Sequence, residues 1–330
     1  MGSFLEKPET GKHTVGGEGN GLRYSSSAMQ GWRVSMEDAH IHEPSLEQAG
    51  AGRIGFYGVF DGHGGELAAK RCAQLFIDFL KKQPGWEAAV ASGGIPEKIK
   101  EVYSDAHFEL DAYLRQMPVF QTGEDRSGST SITSIVTPTH WIVANTGDSR
   151  CVLASGGAAV AMSEDHKPTN EGETQRIYKA GGIVEAGRVQ GDLAVSRAFA
   201  DFGYKNNTAI DASKQMVTVM PDITIRQRSD QDEFLVLACD GIWDVMSNEE
   251  CCNFIRGEMV DGEHNLGIIA ESLIDQCLIR GSRDNMSVVL VVCPGAKFGP
   301  LRPSPSEEER IARGKRAGGI IDENGNEIPR

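Results

Sequence analysis

SITSIVTPTHWIVANTGDSRCVLASGGAAVA, residues 131–161, alternates short apolar runs with turn residues. Ser131–Val136, Trp141–Asn145 and Cys151–Ala154 are rich in β-branched or aromatic side chains and bounded by Pro, Gly, Asp or Asn, which reads as strands. Pro138-Thr139-His140 and Ser155-Gly156-Gly157 are too short to carry a crossover, so the strands they join run antiparallel. Outward from there, Ile54–Phe60 (IGFYGVF), Phe234–Cys239 (FLVLAC) and Met286–Cys293 (MSVVLVVC) have the same character. Glu66–Lys82, Glu97–Met117 and Leu266–Gly281 instead space their apolar residues with helical period. A further helix is expected over Asn248–Met259, capped by Ser247 or Asn248 with Glu249 and Glu250 in its first turn. Hairpin strands mixed with long one-sided helices predict an α+β fold of antiparallel sheet covered by helices.

The chain has 330 residues, 39% hydrophobic and 24% charged, an ordinary globular balance. No Pro/Gly/Ser linker divides the middle, which favours a single domain. From about Pro294 the composition turns proline- and charge-rich, so residues 294–330 read as an extension or mobile tail. The longest apolar run, Met286–Cys293, is far short of a membrane span. The opening MGSFLEKPETGKH has no apolar core and does not read as a secretory signal. With 33 basic against 47 acidic residues the formal charge is −14, which opposes nucleic-acid binding. The seven cysteines contain no CxxC pair and mostly sit in apolar stretches, so reduced, buried thiols in the cytosol or nucleus are expected.

The informative feature is acidic residues beside glycine at strand ends. Asp61-Gly62-His63-Gly64-Gly65 follows one strand, Gly147-Asp148-Ser149 another, Asp240-Gly241 a third with Asp244 close by, and Asp284-Asn285 precedes the last. A lone Asp-Gly is most often just a turn. Four, each abutting a strand, place several carboxylates where a shared rim would hold them close, and such a group stays ionised only beside a cation. Oxygen donors without His or Cys select Mg²⁺ or Mn²⁺, and a pair of such ions serves phosphate-ester hydrolysis.

The surrounding residues narrow this further. In order along the chain stand Gly31-Trp32-Arg33-Val34-Ser35-Met36-Glu37-Asp38-Ala39-His40, Phe60-Asp61-Gly62-His63-Gly64-Gly65, Gly128-Ser129-Thr130-Ser131, Asn145-Thr146-Gly147-Asp148-Ser149-Arg150, Asp165-His166-Lys167-Pro168, Leu193-Ala194-Val195-Ser196-Arg197-Ala198, Cys239-Asp240-Gly241-Ile242-Trp243-Asp244 and Arg283-Asp284-Asn285-Met286-Ser287. This string closely resembles the metal-dependent serine/threonine protein phosphatases of type 2C, from about residue 21 to 293. The resemblance implies a sandwich of two antiparallel β-sheets flanked by helices on both outer faces. It divides the chain into an N-terminal arm (1–20), a catalytic domain (21–293) and the C-terminal extension.

It also implies the chemistry: hydrolysis of phosphoserine and phosphothreonine in proteins by a hydroxide bridging two Mg²⁺ or Mn²⁺ ions. Asp61 matches the bridging carboxylate and Gly62 a backbone carbonyl on the second ion. Asp240 and Asp284 match ligands of the first, and Glu37, with Asp38 beside it, the carboxylate that reaches the second. Arg33 matches the guanidinium that holds the substrate phosphate, and His63 the general acid that protonates the departing oxygen. Asp148, with or without Asp244, matches a weaker third metal site. Residues 170–189 occupy the position of the family's flap.

Other patterns carry less. Asp201-Phe202-Gly203 spells a kinase motif but lacks every companion motif of that fold. Cys277 to Arg283 has the C-x₅-R spacing of the cysteine phosphatases, yet Cys277 falls on an apolar helix face. Met1-Gly2 leaves a weak single-chain acyl anchor open, with Glu6 against it. Arg310, Arg313, Lys315 and Arg316 read as a solvated helical face, with a nuclear address as the alternative. The rival readings are a non-catalytic phosphoprotein-binding module and a hydrolase of small phosphate esters. The expected partners are phosphoproteins, the default state a monomer, and the expected compartment the cytoplasm or also the nucleus.

Overall fold

The computed structural model describes residues 4–49, 52–91 and 96–328, so the acylation site considered at Gly2 lies outside the described residues. The chain divides into two compact units of discontinuous segments: Met1–Met36, Cys151–Ala161 and Ser229–Arg330 in one, Glu37–Arg150 and Met162–Arg228 in the other.

The second unit carries a five-stranded sheet in the order Asp222–Gln227, His140–Thr146, Ser131–Val136, Gly52–Phe60, Ala39–Ala49, antiparallel throughout. The hairpin expected around Pro138 forms: Thr137 N–H donates to the His140 carbonyl at 3.0 Å, and Val136 pairs with Trp141. Helices Leu67–Lys82 and Pro96–Gln116 pack on this sheet, burying Phe56, Phe60, Phe76, Leu80, Tyr103 and Leu110 in one cluster. Phe76 sits at its centre, 5.5 Å from the Phe56 ring and edge-on to His107 at 4.8 Å. Burial lowers the His107 pKa to about 4, so its ring is neutral near pH 7 and Nδ1–H donates to the Tyr103 carbonyl at 2.7 Å.

The first unit carries a six-stranded sheet in the order Phe4–Gly19, Leu22–Arg33, Met286–Val292, Asp232–Ala238, Arg150–Ser155, Ala158–Ala161. The last two strands are joined through Gly156 and Gly157, whose φ angles of 59° and 86° suit the tight turn and favour glycine at both positions. Helix Leu266–Ile279 buries Leu266, Ile269, Ala270, Leu273, Ile274 and Cys277, the apolar set its spacing predicts. Helix Asn248–Val260 opens on Ser247 with a full capping box to Glu250.

Two features depart from expectation. Residues 4–19 form a long edge strand paired with Leu22–Arg33. The C-terminal segment contains a helix, Glu307–Ala317, and its basic residues are only partly solvated. Arg310 pairs with Glu271 at 2.7 Å, and Arg313 with Asp275 at 2.6 Å, where Lys12 of the edge strand adds a further ion pair at 2.6 Å. Glu271 and Asp275 lie buried on the largely apolar helix 266–279, and those carboxylates need cations. Glu309 completes a capping box with Ser306 at the start of this helix. Lys315 and Arg316 remain exposed. Among the described residues no helix is long and apolar enough to cross a membrane.

Candidate active site

Each unit gathers part of the expected residue set. In the second, Asp61 directly follows the strand Gly52–Phe60, and the chain continues as a two-residue strand in which Gly62 pairs with Ser129 and His63 with Gly128. Thr130 fixes that exit: its N–H donates to the Asp61 carbonyl at 2.9 Å, and its hydroxyl accepts from Asp61 N–H at 3.3 Å. The same hydroxyl bonds Ser149 at 2.8 Å, which ties the loop bearing Asp148 to the loop bearing Asp61. Glu37 reaches in from the other side, its Oε2 accepting from Gly65 N–H at 3.2 Å. Gly62 has no room for a side chain, since a Cβ would overlap the Glu37 carbonyl oxygen.

The consequence is carboxylate crowding. Asp61 offers an oxygen within 4.8 Å of one on Asp148, and likewise one within 4.8 Å of Asp38. Like charges so close favour a bound cation, and these hard oxygens suit Mg²⁺ or Mn²⁺, so the donor set fits the expected metal. Asp148 is buried and already paired with the Lys167 ammonium. His63 Nε2 lies 2.8 Å from Asp201 Oδ2. Burial pulls the His63 pKa down, but Asp201, with Asp148 and Glu37 behind it, outweighs that and holds it above 6.5.

In the first unit, Arg33 ends the strand Leu22–Arg33 and donates through Nη2 to Asp284 Oδ2 at 2.5 Å. Asn285 locks this arrangement, donating from Nδ2 to the Gln30 and Ser35 carbonyls at 2.9 Å each. Asp240 opens the short helix Asp240–Trp243, and a Cβ on Gly241 would overlap the Asn285 carbonyl, so the Asp240 and Asp284 turns are in contact. Asp244, at the end of that helix, is exposed. The structure thus groups Glu37, Asp61, Gly62, His63 and Asp148 in one unit, and Arg33, Asp240 and Asp284 in the other.

Residues 170–189 fold as helix Glu171–Lys179 followed by the hairpin of Val184–Glu185 and Arg188–Val189. Glu173 anchors this helix through Arg176 at 2.7 Å, Arg197 at 2.8 Å and the Ser196 hydroxyl at 2.5 Å. Arg197 continues to Asp222 at 2.8 Å, and Asp222 to His166 at 3.0 Å. Cys277 is fully buried and its thiol is pushed up to about 12, so it supplies no thiolate. Asp201 was missed in the sequence because its only local signature was a kinase-like tripeptide.

The protein phosphatase 2C family profile matches residues 22–286. The chain is 43% identical to protein phosphatase 1B of Mus musculus over 312 residues, covering 93% of this chain and 78% of that one. The chain belongs to the protein phosphatase 2C family. It is 41% identical to protein phosphatase 1A of Homo sapiens over 297 residues, covering 90% of this chain and 77% of that one. A solved phosphatase from a pathogenic strain of Toxoplasma gondii superposes with a TM-score of 0.71 at 26% identity, over 86% of this chain and 96% of the other. A serine-threonine phosphatase 2C from Toxoplasma gondii, 23% identical with a TM-score of 0.73 over 86% and 99%, shares the fold. This protein phosphatase 2C is accordingly a metal-dependent protein serine/threonine phosphatase acting on phosphoproteins, with an α+β fold of antiparallel sheets and helices.

Proposed function

We propose that this phosphatase hydrolyses phosphoserine and phosphothreonine with two Mg²⁺ or Mn²⁺ ions, which when bound supply a hydroxide nucleophile and offset phosphoryl charge. Asp61, Gly62 through its carbonyl, Glu37, Asp240 and Asp284 would hold the ions, with Asp148 as a weaker additional site. The observation that carries this reading is the crowding of Asp38, Asp61 and Asp148 around one strand end. Residues 21–293 form the catalytic region in this reading.

The chain's own side chains do the rest. Arg33 binds two phosphate oxygens with its planar fork, in exchange for part of its contact with Asp284. His63 gives a proton to the departing seryl or threonyl oxygen as the P–O bond breaks, which matters because an alkoxide is a poor leaving group. Hydrolysis of a phosphothreonine peptide, followed as Mn²⁺ or Mg²⁺ is titrated in, tests this directly. Activity should require the metal, vanish with chelator and fall at least ~10²-fold in Asp240→Asn. Turnover that survives both chelation and that substitution would overturn the reading.

A further inference from the structure

We infer that Asp201 is the positioning residue for His63, holding its Nε2 so that Nδ1 faces the leaving oxygen; this rests on the general-acid reading of His63. The contact is direct, Nε2 to Oδ2 at 2.8 Å. It is also built into the backbone. A three-stranded sheet of two-residue strands places Gly128 opposite both Ala200 and His63, so Asp201 and His63 flank the one glycine. A Cβ on Gly128 would overlap both His63 Nε2 and Asp201 Oδ2. The pair therefore meets through the space that a missing side chain leaves.

Asp201 reaches that space by a strained route. Ala200 and Asp201 both adopt left-handed backbone, with φ of 56° and 49°. Left-handed backbone is uncommon outside glycine and persists only where the surroundings impose it. Here the imposing groups are Asp111 and Lys205, both buried. Asp111 Oδ1 accepts from Ala200 N–H at 2.7 Å, and Lys205 Nζ clamps Asp111 at 2.9 Å and the Ala198 carbonyl at 2.7 Å. A buried ion pair spent on a two-residue kink whose product is one carboxylate against one imidazole is the arrangement expected of a positioning device.

The two ring nitrogens are then distinct. Nε2 belongs to Asp201, and Nδ1 is the nitrogen free to pass its proton to the oxygen that takes the P–O bonding pair. Asp201→Asn keeps the side-chain shape, and asparagine tolerates left-handed backbone, but its amide reverses or weakens the hold on Nε2. Loss of such an orienting carboxylate leaves the group present but wrongly presented.

The test compares wild type, Asp201→Asn, His63→Ala and the double variant on a phosphothreonine peptide and on p-nitrophenyl phosphate, whose leaving group needs no proton. Asp201→Asn should lower kcat on the peptide by about 10–10²-fold with KM little changed, and change p-nitrophenyl phosphate turnover by less than about 3-fold. The double variant should be no worse than His63→Ala alone. Equal losses on both substrates, fully additive losses, or no loss would overturn the role of Asp201. Equal losses in His63→Ala itself would instead overturn the general-acid reading beneath it. If Asp201→Asn unfolds, long-range ¹H–¹⁵N spectra of the wild-type protein decide: a neutral His63 ring must carry its proton on Nε2, and an Nδ1–H ring contradicts the inference.

Discussion

Gly62 has little freedom beside Asp61, because a Cβ there would overlap the Glu37 carbonyl, with the Ala69 methyl 3.2 Å from where it would stand. Neither neighbour is a flexible side-chain tip. Gly62→Ala should therefore displace the Glu37 backbone, weaken Mn²⁺ binding by at least ~10-fold in titration calorimetry and lower the melting temperature. Unchanged affinity and melting would show that the loop adapts freely. At this scale the sequence was informative wherever chemistry and spacing coincide: Asp61, Asp240 and Asp284 stand out as acids next to strand ends. Asp201 does not, because what makes it matter is Gly128, 73 positions earlier by sequence number, and the Asp111–Lys205 clamp behind it. Those are relations in space, and no local pattern reports them.

At the scale of elements, helix Glu171–Lys179 leans on charge. Its buried Glu173 is burdened by desolvation, yet Arg197, Arg176 and Ser196 bring its pKa down from 4.5 to about 2. A depressed carboxylate contributes stability that is fully present above its unfolded pKa and is lost as pH falls through the folded one. The window is thus about pH 4.5 down to about 2, and the linkage is worth on the order of 3 kcal/mol. Hydrogen exchange over residues 171–179 should show protection failing progressively across that window in wild type. In Glu173→Gln it should be weaker at pH 7 and nearly flat with acid, and an acid-sensitive variant would contradict the assignment. The helix itself escaped sequence reading because its apolar face is short, only Ile177 being a buried hydrophobe among its residues. Leu22–Arg33 escaped for the opposite reason. It is a largely buried strand, but the buried run includes Ser25, Ser26 and Ser27, which no hydrophobic pattern flags. Helices 67–82 and 266–279, with long regular apolar faces, were legible almost to the residue.

For the molecule as a whole the governing quantity is the formal charge of −14. A field of that sign repels acidic phosphopeptides at a distance and attracts basic ones, and salt removes both effects. Raising ionic strength from about 0.05 to 0.3 M should increase kcat/KM for a peptide with flanking acids and decrease it for one with flanking Lys and Arg, with kcat itself little affected. The same direction for both peptides would place the control in local contacts. Global organisation was only partly legible. Antiparallel pairing followed from two short turns, whereas the C-terminal helix was read as a solvated face because Glu271 and Asp275, the carboxylates that bind Arg310 and Arg313, are hidden in a run of apolar residues.

The central claim is that the acids at the strand ends exist to hold metal. Anomalous scattering from crystals of the full chain soaked in Mn²⁺ tests it most directly. The account predicts strong manganese peaks at the donors named above, Asp61, the Gly62 carbonyl, Glu37, Asp240 and Asp284, with the peak at Asp61 lost in Asp61→Asn. Manganese bound elsewhere, or a full set of peaks that survives Asp61→Asn, would contradict it.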